Sequence, residues 1–135
     1  MSAAPPDGFA PHFRKSPVTE PWEPLFSRQT EGAVQIGLHL REPHCNSRGR
    51  PHGGVIAALA DNAMGLSCAK VLGSVRGIVT VSLAVDYVGA AEIGQWLQVE
   101  PRVLRTGRLL SFADALVTAD GATIARASAS FRTLD

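Results

Sequence analysis

A long apolar segment, residues 53–71, constrains this chain more than any other part of its sequence. The segment predicts a helix of about five turns. Apolar side chains surround most of that helix, and a helix of this kind lies inside a structure and not on its surface. A chain of 135 residues fits a single domain. The rest of the chain therefore has to cover this helix.

Alternating apolar and other residues predict the strands that cover the helix. One such run precedes the helix and four follow it, at residues 33–40, 81–87, 97–103, 110–116 and 125–131. Turn sequences separate the later runs at residues 91–94, at Thr106-Gly107 and at Asp120-Gly121, and Asp-Gly is a strong hairpin signal. The order predicts an α+β fold, an antiparallel meander with one central helix. The unpaired edge strands of such a sheet favour dimerisation.

The first 30 residues differ from the rest, because six of the nine prolines lie within the first 24 positions. Each proline lacks an N–H group and disfavours helix at the residue before it. We therefore predict a proline-rich N-terminal arm over residues 1–30 and the folded domain over residues 31–135. The arm packs aromatic side chains onto the body, and a partly disordered tail is the alternative for its first ten residues. An arm that covers the pocket would tune specificity.

Charge and composition exclude several classes of partner. Thirteen Lys and Arg residues against twelve Asp and Glu residues leave a net charge of +1, which gives no electrostatic case for nucleic acid or an anionic membrane. The start of the chain lacks the basic and apolar regions of a signal peptide, and two cysteines are too few for a disulfide scaffold. We expect a cytoplasmic protein with no nucleic-acid partner and no membrane partner.

Asp61 is the first candidate for chemistry, because it is the only carboxylate in the apolar helix. At about 100° per residue, it shares its side of the helix mostly with small residues, which leave room for a ligand. These neighbours are Gly54, Ala57, Ala58, Met64, Gly65 and Cys68. A buried carboxylate is costly unless something compensates it. Asp61 can be a nucleophile or general base, or it can cap a loop or pair with an arginine. Its position alone leaves both interpretations open.

The start of the helix is the second candidate, where Arg50-Pro51-His52-Gly53-Gly54 leads into the apolar segment. Proline suits the first turn of a helix, and glycines let the backbone approach a ligand closely. Free N–H groups at this end can hold a developing oxyanion, which contributes roughly 3–4 kcal/mol per donor in comparable sites. On its own the motif is explained by a plain glycine-rich helix start. Asp61, about two turns downstream, makes it a candidate site.

An ordered set of residues resembles the hotdog-fold thioesterase superfamily, in particular its phenylacetyl-CoA and acyl-CoA thioesterase-like branch. The set is Asn46-x5-His52-Gly53-Gly54-x6-Asp61, then Thr80-Val81-Ser82-Leu83-x-Val85-x-Tyr87, Gly94, Gly107-Arg108-x-x-x-Phe112, Asp120-Gly121 and Ala125. The resemblance covers about residues 33–133. It implies a hotdog fold, an antiparallel β-sheet wrapped around one long central α-helix. It also implies a homodimer or a homotetramer built as a dimer of dimers, with active sites at the subunit interface.

The resemblance implies a role for each matched residue near the helix. Asp61 matches the catalytic carboxylate, as nucleophile or as general base on water, and reaches the helix start of the other subunit. The Gly53 backbone N–H polarises the thioester carbonyl, and Gly54 beside it keeps the backbone close to the substrate. Asn46 and His52 match side chains that orient the carboxylate, the thioester or the water.

Further positions follow from the same resemblance. Thr80 matches a hydroxyl residue that positions the attacking water, and Ser82 takes this place if the register slips. Arg108 resembles a basic position near the phosphates of coenzyme A, and Arg105 is a second candidate. The implied substrate is a CoA thioester with an aryl or medium-chain acyl group. Thiolate is a good leaving group, so the reaction requires no cofactor and no metal.

Other functions compete with this interpretation. A hotdog hydratase or dehydratase would use a different arrangement of His with Asp or Glu, and a non-catalytic acyl-CoA binding module would need no carboxylate. The chain has no G-x-S-x-G motif for a Ser-His-Asp hydrolase. A metal site would use His39, His44, Cys45 and His52, but these residues lack a CxxC or HExxH framework.

Overall fold

The computed structural model describes residues 3–134, so the first two residues of the predicted arm lie outside the described residues. A single long helix, α1 (Gly53–Leu72), lies against one antiparallel sheet. The sheet has seven strands: β1 (Ala10–Pro11), β2 (Phe26–Gln29), β3 (Val34–His39), β4 (Gly77–Tyr87), β5 (Trp96–Thr106), β6 (Leu110–Ala119) and β7 (Ala122–Leu134). Two short 3-10 helices are Glu20–Trp22 and Glu42–His44. The α+β architecture, a sheet wrapped around one helix, is confirmed.

The strand order is β1-β2-β3-β5-β6-β7-β4, and it corrects the predicted meander. Strands β5, β6 and β7 form consecutive hairpins as predicted, with positive φ at both Asp120 (47°) and Gly121 (85°) in the last turn. Strands β4 and β5 do not pair. Instead, β4 lies beside β7 at one edge, and residues 91–94 carry the chain back to β5 in the middle of the sheet. Alternation predicts that a strand exists, but it does not say which strand becomes its neighbour.

Helix α1 buries one side against the sheet and leaves the other partly exposed. Its buried residues are Val55, Ile56, Leu59, Ala60, Ala63, Met64, Ser67 and Cys68. Met64 and Cys68, which helical spacing places on the side of Asp61, are both fully buried, while Asp61 is only half-buried. By length and composition α1 would also suffice to cross a membrane, but half of its apolar stretch packs inside the fold, which is the position of a core helix. The cytoplasmic location stays a prediction.

The N-terminal segment contributes to the sheet. Strand β1 pairs with β2, and β2 pairs with β3, so residues before position 30 form one edge of the sheet. Phe9 is buried beside Trp96, and Trp22 packs against the core, but Phe13 remains 57% exposed. The division into a 1–30 arm and a 31–135 domain stays a prediction.

Candidate active site

Asp61 and Thr80 form the centre of the candidate site. Asp61 projects from the middle of α1 toward the edge strand β4, where the Thr80 hydroxyl donates a hydrogen bond of 2.6 Å to Asp61 Oδ1. A hydrogen bond to a charged acceptor is shorter and stronger than one between neutral groups, and it fixes the orientation of the carboxylate. The second carboxylate oxygen, Oδ2, makes no hydrogen bond among the residues that the structure describes. This oxygen is therefore available to a substrate or a water molecule.

A β-bulge in β4 decides which of its side chains face the helix. The register with β7 shifts between Thr80 and Ser82. Before the bulge Thr80 faces α1, and after it Tyr87 does, because the Tyr87 hydroxyl donates to the carbonyl of Gly53. Ser82 pairs with Ser130 on the face of the sheet away from α1. The structure thus brings Thr80 to Asp61 and separates Ser82 from it.

The start of α1 leaves one backbone donor free. His52 is the N-cap residue, and its Nδ1 accepts the N–H of Gly54 at 2.8 Å. The N–H of Gly53 has no acceptor within the described part of the chain. A Cβ at Gly54 would lie 2.9 Å from the His52 ring and would displace it. The imidazole therefore accepts a hydrogen bond from one N–H group at the start of the helix. The Gly53 N–H remains available to donate to an oxygen atom of a ligand.

Asn46 organises the loop that precedes the helix. Its Oδ1 accepts backbone N–H groups from Arg48 at 2.9 Å and Arg50 at 3.1 Å, and its own N–H donates to the Arg50 carbonyl at 2.7 Å. This is the Asx type of turn, in which a short side chain replaces a backbone acceptor. In a single chain, Asn46 thus contacts the loop and not Asp61.

Asp61 and Gly53 lie too far apart in one chain to act on the same carbonyl group. They are separated by eight residues of α1, which is about 12 Å along a helix that rises 1.5 Å per residue. A nucleophile and an oxyanion donor must both come within about 3 Å of one reacting group. The two halves of the candidate site therefore do not meet within one copy of the chain.

A cavity of about 260 Å³ opens beside Asp61 and Thr80. It extends along α1 past Gly65 to Ala69, away from the start of the helix. The complete lining is Arg14, Asp61, Asn62, Gly65, Leu66, Ala69, Val75, Arg76, Gly77, Ile78, Thr80 and Phe131. The candidate carboxylate thus lies at the mouth of a pocket that is lined by both polar and apolar side chains.

The two predicted phosphate-binding arginines lie elsewhere on the chain. Arg105 is near the end of β5, where it pairs with Phe112 of β6, and Arg108 is in the turn that follows. Phe112 in turn pairs with Ser130, so Arg105 shares the outer sheet face with Ser82. Both arginines are exposed. Within one chain, neither joins Asp61.

The residues considered as metal ligands are engaged in other contacts. His44 is buried: its Nδ1 accepts the N–H of Arg41, its Nε2–H donates to the Trp22 carbonyl, and burial lowers the pKa of this imidazole. His39 contacts the carbonyl of Ala4. No three His, Cys, Asp or Glu side chains cluster within residues 3–134.

Sequence reasoning missed several residues of this site. Tyr87 fits the alternating pattern of a strand. Its hydroxyl reaches the start of the helix because the bulge changes which residues of β4 face α1, and the alternating pattern does not reveal a bulge. The helical spacing already placed Gly65 beside Asp61, but it gave no sign that the Phe131 ring packs against this glycine, where a Cβ would lie 3.3 Å from the ring. Arg14 and Arg76 line the same cavity, although no motif includes them. The resemblance offered a signal for Tyr87 alone, since it ends the matched strand motif.

Comparisons with known proteins show which family this chain resembles. A family model described as "Thioesterase superfamily" matches residues 49–125, which include α1 and most of the strands after it. A relative from Pseudomonas aeruginosa, named "Putative esterase PA0474", is 37% identical over 127 residues, covering 93% of this chain and 95% of the relative. A human relative, named "Acyl-coenzyme A thioesterase 13", is 32% identical over 91 residues, covering 64% of this chain and 61% of the relative.

A solved structure adds a bound ligand to the comparison. The BH2602 protein from Bacillus halodurans, solved with CoA, superimposes with a TM-score of 0.73 at 27% identity. The match covers 81% of this chain and 73% of that protein. The overall arrangement of sheet and helix is therefore one that binds CoA in a similar protein.

Proposed function

This chain belongs to the thioesterase superfamily, and from that premise we propose that it hydrolyses an acyl- or aryl-CoA thioester to the free acid and CoA. The hotdog fold predicted from the resemblance is confirmed, and the family's reaction is thioester hydrolysis. The proposed role of Asp61 as the reactive carboxylate rests on its hydrogen bond with Thr80 at the mouth of the cavity. CoA as the thiol partner is supported by the name of the human relative and by the ligand of the B. halodurans structure.

Asp61 supplies the attacking group in the proposed mechanism. As a nucleophile, its free oxygen attacks the thioester carbon, the C–S bond breaks, CoA leaves as a thiolate, and water then hydrolyses the mixed anhydride. As a general base, it removes a proton from water, and the resulting hydroxide attacks the same carbon. In both routes the Gly53 N–H stabilises the negative charge that develops on the carbonyl oxygen. Thr80 holds the carboxylate in one orientation, and the thiolate needs no strong general acid.

A second copy of the chain completes the proposed site. Strand β4 is an edge strand whose apolar residues Val79, Val81 and Leu83 are 46%, 59% and 38% exposed. Pairing two β4 edges would cover these side chains and join the two sheets. A two-fold axis at this edge would also bring Asp61 of one copy toward Gly53 of its partner, because β4 runs from Thr80 at Asp61 to Tyr87 at Gly53. We propose a homodimer as the smallest active unit, and a homotetramer as a dimer of such dimers.

Thiol release tests this proposal directly. Wild-type protein and Asp61→Asn are compared on a panel of acyl- and aryl-CoA thioesters, with Asp86→Asn as the matched control on the outer sheet face. We expect Asp61→Asn to lower turnover by about a hundredfold or more, with an unchanged unfolding midpoint, while Asp86→Asn keeps its activity. Equal loss in both variants, or none in either, would contradict the role of Asp61. Binding of CoA thioesters without turnover by the wild type would favour the binding-module alternative.

A further inference from the structure

The cavity beside Asp61 is lined by two exposed arginines, Arg14 and Arg76. Arg14 comes from the segment between β1 and the first 3-10 helix, and Arg76 from the connection between α1 and β4. Neither forms an ion pair among the residues that the structure describes. The outer sheet face differs, since its larger cavity of about 580 Å³ holds Arg102 and Arg126, which pair with Asp114 and Asp86 at 2.8 and 2.9 Å. The charge near Asp61 is therefore left open to a ligand.

Part of the cavity wall is apolar, and Asp61, Asn62 and Thr80 add polar groups to it. Phe131 is buried and Ile78 packs against the core, and both side chains lie against Gly65 in the cavity wall. The cavity volume of about 260 Å³ is slightly below the roughly 300–1,000 Å³ that small-molecule sites occupy. A short apolar chain suits such a space better than a long fatty acyl chain.

The cavity lining carries a negative charge at Asp61 and positive charges at the two arginines. Asp61 lies at its mouth, and Arg76 precedes Thr80 by four residues, which is about 13 Å of extended chain. Two guanidinium groups against one carboxylate leave the lining positive. A negative group on the acyl chain would be repelled by Asp61 and attracted by the arginines. This orientation would place the thioester carbonyl at Asp61 and the charged end away from it.

We propose that the preferred substrate is a CoA thioester of a short dicarboxylic acid, whose free carboxylate is bound by Arg14 and Arg76. Arginine suits this task, because its planar fork donates two parallel hydrogen bonds to one carboxylate. The inference rests on the proposed thioesterase function and adds the class of acyl group. It also gives the N-terminal segment a part in specificity, since Arg14 belongs to it.

The same arginines would also suit the phosphates of CoA, so the experiment separates the two anions. Hydrolysis of adipoyl-CoA and hexanoyl-CoA is measured for wild type, Arg14→Gln and Arg76→Gln. These acyl groups have equal chain length and differ at the distal carboxylate. The pantetheine thioesters of both acids, which lack the nucleotide phosphates, are measured in parallel. Lys15→Gln is the control, because it removes a positive charge beside Arg14 from a side chain that faces Glu23.

We expect wild type to have at least tenfold higher kcat/KM for adipoyl-CoA than for hexanoyl-CoA. Each arginine variant should lose about tenfold on the adipoyl thioesters of CoA and of pantetheine, and less than twofold on the hexanoyl thioesters. Lys15→Gln should match the wild type. The arginine variants could instead lose kcat/KM equally on both acyl-CoA substrates and lose none on the pantetheine thioesters. That result would show that the arginines bind the phosphates of CoA, and it would overturn the proposal.

The other possible outcomes of this experiment also test the proposal. Hydrolysis of hexanoyl-CoA without a preference for adipoyl-CoA would overturn the dicarboxylic class. Losses below twofold on adipoyl-CoA in both arginine variants would overturn the role of Arg14 and Arg76. Either result would leave the proposed thioesterase function standing. Hydrolysis of no thioester by the wild type would overturn both. Unchanged unfolding midpoints in the arginine variants establish that any loss of kcat/KM comes from the cavity.

Discussion

Thr80 of β4 donates a 2.6 Å hydrogen bond to Asp61 of α1, and this bond joins the edge strand to the middle of the core helix. The contact exists because the bulge after Thr80 turns this residue, and not Ser82, toward the helix. A carboxylate held by a hydroxyl in this way has one oxygen fixed and one free. The edge strand therefore positions the reactive group as well as closing the sheet.

Removing the Thr80 hydroxyl should lower turnover without unfolding the chain. Thr80 is exposed in one copy, so Thr80→Val changes little buried surface but removes a hydrogen bond to a charged acceptor. Such bonds contribute about 1.5–3 kcal/mol, which corresponds to roughly a 10- to 150-fold loss in kcat if the bond is fully used in the transition state. Thr80→Ser keeps the hydroxyl and should retain most activity. Equal activity in the Val variant would show that the bond does not position the catalytic carboxylate.

The N-cap geometry of α1 predicts that substitutions of His52 and Gly54 have non-additive effects on the free energy of unfolding. Gly54→Ala would place a Cβ 2.9 Å from the His52 ring and displace it, which exposes the N–H that His52 Nδ1 accepts. Loss of an N-cap costs about 1 kcal/mol, so each single variant, His52→Ala and Gly54→Ala, should lower the unfolding free energy by about that amount. The double variant should lose less than the sum, because the second change finds no cap left to break. Urea unfolding of all four proteins measures the coupling, and strict additivity would contradict it.

His12 should make the fold less stable in mild acid. Its ring is buried, and neither ring nitrogen has a hydrogen-bond partner among residues 3–134. Burial lowers its pKa below the ordinary 6.5, although the nearby Glu23 carboxylate opposes this shift. The folded chain then binds the proton more weakly than the unfolded chain, so the free energy of unfolding falls as the pH drops below 6.5. Burial acts in the same direction on His44.

Replacing His12 by leucine isolates this contribution. His12→Leu removes the titrating group and its two unpaired nitrogens, so it should cost less than about 1 kcal/mol at neutral pH. The decrease in unfolding free energy between about pH 7.5 and about pH 5.5 should become smaller in the variant. Urea unfolding at both pH values measures the difference. An identical decrease in wild type and variant would show that His12 is not responsible.

Much of the fold could be predicted because its signals are local. The helix start, the helix length and the Asp120-Gly121 hairpin follow from patterns within a few residues. The position of β4 could not be predicted, since the same alternation fits a strand beside β5 or beside β7. The bulge also escaped prediction, because one extra residue in a strand leaves the composition of the strand unchanged.

In the candidate site, too, some residues could be predicted from the sequence and others could not. Asp61 stood out as a carboxylate in an apolar helix, and the resemblance supplied Thr80. Arg14 could not be found, because it lies far upstream and no periodic pattern says where the N-terminal segment passes over the helix. Contacts between distant parts of the chain arise from packing, and a single sequence does not encode them in any spacing.

The separation of Asp61 and Gly53 predicts that each active site draws on two copies of the chain. Asp61→Asn removes the reactive carboxylate. Gly53→Pro removes the N–H at the first helical position, where proline is well tolerated. Gly53→Ala is its matched control, since it also brings a Cβ within 3.2 Å of the Tyr87 ring but keeps the N–H. Loss of one oxyanion donor costs roughly 10²–10³-fold in kcat, so Gly53→Pro should be nearly inactive while Gly53→Ala is not.

A heterodimer of the two inactive variants makes the decisive comparison. The two chains are co-expressed with different affinity tags and purified by both tags in succession. If sites form between copies, one of the two sites has an intact Asp61 from the Gly53→Pro chain and an intact Gly53 N–H from the Asp61→Asn chain. The heterodimer should then have about half the wild-type activity, since one site carries both lesions and the other carries neither. A heterodimer as inactive as its parents would show that Asp61 and Gly53 do not act across the interface between two copies.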